Sequence, residues 1–180
     1  LYAHNVEVGQ KSWAVNDPNF RIENVISYIL DQSTPKRDLA LGAFIWNETY
    51  IKDIIPALRK EGYPGRVILG GPQISYVKHN LEKYYPLVDV FIRGYAEEAL
   101  VELMLSPTYN PVIRGVHYAG TPSLGLSATA DLSKLPSPFL TGLIAPQPFI
   151  RWETQRGCPF SCSFCQHKEA DPTKKRRAFT

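Results

Sequence analysis

Strand-like and helix-like stretches alternate over the first 120 residues of this 180-residue chain, and that alternation predicts a doubly wound α/β fold built on a parallel sheet. Two observations carry the prediction. Apolar runs such as "DLALGAFIW" are nearly continuous, as in a strand buried on both faces. The stretches between them carry apolar residues three and four apart, the spacing of helices laid against a sheet.

Taken in order, "LYAHNVEV" (1–8) reads as a strand. "FRIENVISYILDQ" follows as a helix, with its stripe at Phe20, Ile22, Val25, Ile26 and Ile29. "DLALGAFIW" (38–46) is the second strand. "NETYIKDIIPALRKEG" resumes helical spacing at Ile51, Ile54, Ile55 and Leu58, with Gly62 as its stop and Pro56 as an expected kink. "RVILGG" is a strand and "ISYVKHNLEKYY" a short helix, while "VDVFIRG" is a strand and "EEALVELML" a helix. "GVHYAG" is the last strand of the set. Ligands of doubly wound sheets bind at the carboxyl ends of the strands. The loops "IWNET" (45–49), "GGPQ" (70–73) and "RGYAEE" (93–98) are therefore the places to look.

The chain then changes character. Residues 121–148 are proline-rich with little periodicity and read as an extended linker, and "FIRWET" (149–154) reads as a further strand. The terminal "KKRR" (174–177) reads as a solvated charge run. A net charge of +3 is too small to argue for nucleic acid or an anionic membrane. No apolar run approaches the roughly 20 residues needed to span a bilayer. No signal peptide opens the chain, so a cytoplasmic setting is expected. The chain opens on Leu1, and its single methionine is Met104, so it reads as an excerpt of a longer polypeptide.

All three cysteines fall in "RGCPFSCSFCQH": Cys158, Cys162 and Cys165, spaced C-x3-C-x2-C. A disulfide would leave one thiol over, and plain core cysteines seldom cluster. Zinc would need His167 as a fourth ligand, and Cys165-x-His167 is tight for a tetrahedral site. Three thiolates also suit a [4Fe–4S] cluster whose fourth iron stays open for a small molecule. Gly157 and Pro159 allow a tight turn there, and Phe160 and Phe164 are placed to shield it from water.

"CPFSCSFC" preceded by "ETQRG" resembles the signature of the radical SAM enzymes. The resemblance implies that Cys158, Cys162 and Cys165 ligate a [4Fe–4S] cluster whose open iron holds S-adenosylmethionine, with Phe164 near the adenine. Reductive cleavage would then give a 5′-deoxyadenosyl radical, with electrons from an external flavodoxin- or ferredoxin-type donor. Upstream, "VILGGPQIS" and "DVFIRGYAEEAL" resemble the cobalamin-binding domain of the B12-dependent branch of that family. This implies a Rossmann-like cobalamin domain over 1–120, a linker over 121–148, and the first strand and cluster loop of a radical SAM barrel over 149–180. Cobalamin contacts are expected from Gly70, Gly71, Pro72 and Gln73, and from Arg93, Gly94, Tyr95 and Glu97. Tight turns and a helix-start ion pair are the structural alternatives for these residues.

The histidine-bearing D-x-H-x-x-G motif of other B12 carriers is not matched. Around His4, Tyr2 replaces Asp and Glu7 replaces Gly, and His117 lies too far along the fold. The lower face of cobalamin is instead expected to meet Trp46, Asn47, Glu48 and Thr49, while His79 reads as a helix-surface residue. The related methylthiotransferases carry further N-terminal cysteines, and here none precedes Cys158. The implied activity is methylation of an unactivated carbon of a small-molecule substrate through methylcobalamin. Rearrangement or ring contraction, as in oxetanocin formation, is an alternative, and so is a cobalamin-binding module with a structural zinc loop. A radical SAM barrel needs on the order of 200 residues more, so these residues alone are expected to be inactive.

Overall fold

The computed structural model describes residues 1, 4–77, 79–145, 148–150, 153–158, 160 and 162–165, and the backbone of 176–178. Two compact units emerge, Leu1–Thr129 and Ala130–Thr180.

In the first unit the helices form where the apolar spacing placed them. Helix α1 (Ile22–Asp31) buries Val25 and Ile29, and α2 (Glu48–Lys60) buries Ile51, Ile54, Ile55 and Leu58. Pro56 lies inside α2, which continues through it as one element. Gly62 ends that helix with φ +80°. Its N–H reaches Arg59 O at 3.1 Å and the Tyr63 N–H reaches Leu58 O at 2.9 Å, the paired bonds of a glycine-terminated helix. The expected "ISYVKHNLEKYY" helix is two short ones, α3 (Pro72–Tyr76) and α4 (Leu81–Tyr84). Asn80, left-handed at φ 57°, starts the second of them. His79 is exposed in the break between them, and not on a helix. Helix α5 (Ala96–Leu105) buries Ala99 and Leu103.

Strands β1 (Leu39–Gly42), β2 (Val67–Gly70), β3 (Val90–Ile92) and β4 (Val116–Tyr118) lie side by side in that order. The first three are parallel, with Leu41 opposite Leu69 and Leu69 opposite Phe91. The last is antiparallel, with Phe91 opposite His117. Alternate residues of the central strands point to opposite faces. Val67, Leu69 and Phe91 join the core under α1, α2, α3 and α4, whereas Ile68, Val90 and Ile92 join the core under α5. Helices on both faces of a mostly parallel sheet give the doubly wound α/β architecture that the alternation predicted.

Two expected strands differ. Residues 1–8 form no strand among those described: Asn5 is left-handed at φ 56°, and Leu1 O accepts the N–H of both His4 and Val6 in a turn. Packing holds the following segment instead, with Trp13 edge-on to Tyr28 at 5.4 Å and Phe20 edge-on to Tyr50 at 5.0 Å. "DLALGAFIW" gives only the four residues of β1, and these are half-buried or exposed. It is an edge strand of the described sheet, and its apolar run continues past it through the buried Ala43 to the exposed Ile45 and Trp46.

Charged pairs fix the amino ends of the strands. The Asp38 carboxylate accepts from Arg66 N, Nε and Nη2 at 3.1, 2.9 and 2.6 Å. Asp89 accepts from the Arg59 guanidinium, and its Oδ2 also takes the Val67 N–H at 2.6 Å.

The second unit contains a 3-10 turn at Leu132–Lys134, which Asp131 caps through the Ser133 N–H at 3.2 Å. An antiparallel pair, β5 (Gln155–Gly157) and β6 (Arg176–Ala178), follows. The segment expected as a linker is divided, because residues 121–129 belong to the first unit. Arg151 and Trp152 of the expected "FIRWET" strand lie outside the described residues, and the strand that is seen begins at Gln155.

Phe91 and Leu69 are fully buried. Either one truncated to alanine is expected to lower stability by about 3–4 kcal/mol. Truncating the half-exposed Leu105 should cost less than about 0.5 kcal/mol. Urea midpoints of the three variants against the parent chain check the ranking.

Candidate functional site

The three loops singled out in the sequence meet along the carboxyl edge of the sheet, bound to one another through backbone and side chain. Ala43 N donates to Gly70 O at 2.8 Å, and Gln73 N donates to Ala43 O at 3.2 Å. This closeness requires glycine at position 71. Its φ is +97°, and a Cβ there would stand 2.7 Å from Ala43 O. Gly71 thus admits the chain's own backbone. Pro72 then opens α3 at its first turn, and Ser75 Oγ donates to Gly71 O and accepts the Gly94 N–H, both at 3.0 Å. Gly94, at φ +81°, faces Ala128, whose O would stand 2.4 Å from an added Cβ. Ala128 N donates to Arg93 O at 2.7 Å and Tyr95 N donates to Ala128 O at 3.1 Å, so the third loop is pinned as firmly as the second.

The first loop carries the exposed apolar surface. Phe44 folds its ring back over Gly42, 3.0 Å from where a Cβ would be. Trp46 stacks on Phe44 with centroids 4.7 Å apart and planes 14° from parallel. Ile45 and Trp46 remain 80% and 63% exposed. Asn47 holds the loop's base: Oδ1 accepts the Phe44 N–H at 2.8 Å, and Nδ2 donates to Gly42 O at 2.9 Å. Thr49 is exposed on the first turn of α2.

Glu48 does not stand free beside them. Its carboxylate accepts from Lys52 Nζ (2.6 Å), Gln73 Nε2 (2.6 Å) and the Tyr85 hydroxyl (2.9 Å). Those donors, Lys52 foremost, hold its pKa below the ordinary glutamate range against the opposing effect of burial. Burial and then the Glu48 carboxylate push the Tyr85 phenol above its ordinary range, so it stays a donor. Arg93 is the one charged side chain buried among the described residues, and burial lowers its pKa. Glu97 sits in the first turn of α5. Tyr85, Ser75 and Ala128 were not singled out by sequence reading, since their partners lie 19 to 37 positions away or meet backbone rather than side chain.

His4 is exposed, and His117 is engaged elsewhere. Its Nε2 lies 3.4 Å from Glu82 Oε1 and its ring stacks on Phe91 at 5.9 Å. Neither imidazole belongs to the three loops.

In the second unit β5 runs directly into Cys158 through Gly157, at φ +86°. Cys165 N donates to Cys162 O at 3.0 Å, closing a turn over Ser163 and Phe164. Cys158, Cys162 and Cys165 are all free thiols. Among the described residues no three metal-binding side chains are gathered into a group, so the three thiols share one loop without converging. Phe160 and Phe164, expected to shield this loop, are 68% and 91% exposed. Pro159 and His167 lie outside the described residues. Three unpaired soft donors on one turn nonetheless match, in chemistry and number, the donor set of a cluster with one open iron.

No family model matches the chain. Over 159 residues it is 32% identical to the cobalamin-dependent radical SAM methyltransferase TokK of Streptomyces tokunonensis, an alignment that covers 77% of this chain and 23% of that protein. Over 147 residues it is 33% identical to the 2-(S-pantetheinyl)-carbapenam-3-carboxylate methyltransferase of Streptantibioticus cattleyicolor, covering 71% of this chain and 21% of the relative. The chain therefore spans less than a quarter of the length of the curated relatives it matches.

The Glu48 cluster predicts a pH signature. A carboxylate whose folded pKa is depressed stabilises the fold above its unfolded pKa of about 4.3 and loses that contribution as pH falls through the folded value. Glu48→Gln should therefore cost roughly 1–2 kcal/mol at neutral pH, discounted for partial exposure. The gap from the parent should narrow as pH falls below that reference, because protonation of Glu48 in the folded chain removes the contribution. Paired urea titrations across that range measure it.

Proposed function

Because this chain belongs to the cobalamin-dependent radical SAM family, we propose that it carries the cobalamin-binding domain and the cluster loop of an enzyme that methylates an unactivated carbon of a small molecule. The carrying observation is the pairing of the Cys158, Cys162 and Cys165 triad with a doubly wound domain whose carboxyl edge ends in an exposed stacked indole. When bound, the cluster and S-adenosylmethionine supply a 5′-deoxyadenosyl radical that takes hydrogen from the substrate, and cobalamin supplies the methyl group.

Each part of the chain has a task in this reading. Cys158, Cys162 and Cys165 hold the cluster as thiolates and leave one iron to the amino and carboxylate groups of S-adenosylmethionine. Phe164 lies against the adenine. Trp46, held flat by Phe44, would offer an apolar plane to the lower face of cobalamin. The Gly70–Gln73 and Arg93–Glu97 loops line the cofactor's flank, where the backbone at Gly70 and Tyr95 and the side chains of Pro72 and Thr49 are the contacts. In this reading the cobalamin domain is the unit that ends at Thr129, the residues up to 148 lead on from it, and 149–180 open the radical SAM domain. An external one-electron donor of flavodoxin or ferredoxin type reduces the cluster. Both relatives are named methyltransferases, and that favours methyl transfer over rearrangement. Among the described residues no helix is long and apolar enough to cross a membrane.

The test is an anaerobic visible spectrum with iron and cobalt analysis after reconstitution with iron, sulfide and hydroxocobalamin. We expect about four irons per chain, with cobalt in roughly equal amount to protein. The triple cysteine-to-alanine variant should lose the iron and keep the cobalt. Zinc in place of both metals would overturn the reading. With labelled S-adenosylmethionine and the full-length enzyme that carries these residues, a product heavier by one methyl group supports transfer, and an unchanged product mass removes it.

A further inference from the structure

Glu48 and Gln73 have the residue types of cofactor contacts, yet their polar groups are spent on each other. Glu48 Oε2 takes the Gln73 amide at 2.6 Å, and Oε1 takes Lys52 Nζ at 2.6 Å and the Tyr85 hydroxyl at 2.9 Å. Lys52 is 41% exposed at its side chain, so its bond to Glu48 is an exposed ion pair and a weak anchor. Tyr85 is 3% exposed, packed in the core under the sheet, and its hydroxyl is held against the carboxylate by that packing. The carboxylate directly follows Asn47, the residue that ties the base of the Phe44–Trp46 loop. One buried phenol thus anchors the junction where the loops leaving β1 and β2 are joined.

We infer that Tyr85 is a positioning residue for the loop that presents Trp46: acting through Glu48, it fixes that loop against the Gly70–Gln73 loop and so sets how the indole stands out from the sheet edge. This rests on the cofactor reading above for the purpose of the indole, but not for the mechanical linkage. Tyr85 touches no substrate or cofactor. Its hydroxyl holds a carboxylate, the carboxylate holds an amide, and the two loops move as one body. A side-chain bond to an ionised group is among the stronger hydrogen bonds of a folded chain, and the packed ring gives it a fixed origin.

The test is hydrogen–deuterium exchange on the full chain, without cofactor, comparing the parent with Tyr85→Phe. Phenylalanine keeps the ring and its packing and removes only the donor. Exchange across residues 42–49 should quicken about tenfold, while the core of α2 (51–58) stays as protected as in the parent. Unchanged exchange at 42–49 overturns the inference. Uniform quickening across all helices overturns it too, because that is the mark of plain destabilisation. Gln73→Glu gives a second approach: it sets two carboxylates face to face and should loosen the same segment, and adding Glu48→Gln restores an amide–carboxylate pair and should restore protection. A hydroxocobalamin titration completes the experiment, with affinity expected to fall about tenfold in Tyr85→Phe. A parent chain that takes up no hydroxocobalamin overturns the cofactor reading, and the exchange comparison then still decides the role of Tyr85.

Discussion

The carboxyl edge of the sheet depends on the absence of one atom, the Cβ of Gly71. Only without it do the Ala43 and Gly70–Gln73 backbones approach closely enough to exchange two hydrogen bonds. From that approach the rest follows in order. Gln73 comes within reach of Glu48, Ser75 within reach of Gly94, and Gly94 in turn admits Ala128. Each link joins segments far apart in sequence, so the loops at the strand ends form a chained surface instead of three independent turns. Such chaining is how a fold holds a binding surface on segments that are otherwise its least constrained parts.

The two ends of the sheet solve different problems. At the amino end, ion pairs (Asp38 with Arg66, Asp89 with Arg59) tie strand starts to the helix before or the strand beside them. At the carboxyl end the helix starts already hold acidic side chains, Glu48 in α2 and Glu97 and Glu98 in α5. Carboxylates in a first turn offset the positive end of the helix dipole. That leaves little reason for a phosphate to settle there, although phosphates commonly bind at such edges. What the edge offers is apolar and planar: Ile45 and a stacked Trp46 in the open. A large ligand with a flat, weakly charged face fits that surface better than a nucleotide phosphate does.

How much of this the sequence disclosed depended on range. Helices α1, α2 and α5 were legible because their apolar spacing is local, and so was the stop at Gly62. Strands β2 and β3 were legible because burial on both faces leaves unbroken apolar runs. The same rule misread "DLALGAFIW", whose apolar residues divide between an edge strand and an exposed loop. It misread "LYAHNVEV" as well, where a turn at Asn5 intervenes. The C-x3-C-x2-C spacing of Cys158, Cys162 and Cys165 is plain in the sequence, whereas the turn from Cys162 to Cys165 is seen only in the fold. Glu48 was legible as a residue of the loop after β1, but its partners were not. Tyr85 lies 37 positions away, and nothing in a linear reading pairs a helix-end tyrosine with a helix-start glutamate.

The two candidate cofactor regions are held together by different physics. Around Trp46 the protein supplies all the constraint itself, through stacked rings, paired backbones and a buried phenol, so the surface exists independently of what binds. On the cysteine loop the donors share a turn but do not converge, and Phe160 and Phe164 face outward. Three thiolate–iron bonds far exceed the energy of any loop hydrogen bond, so ligation itself can draw such donors together, as metal binding commonly organises the segment that provides its ligands. The division suits the proposed reading, in which one region recognises its ligand noncovalently and the other ligates a metal. Noncovalent recognition needs a surface shaped in advance, whereas covalent ligation needs only the right donors at the right spacing.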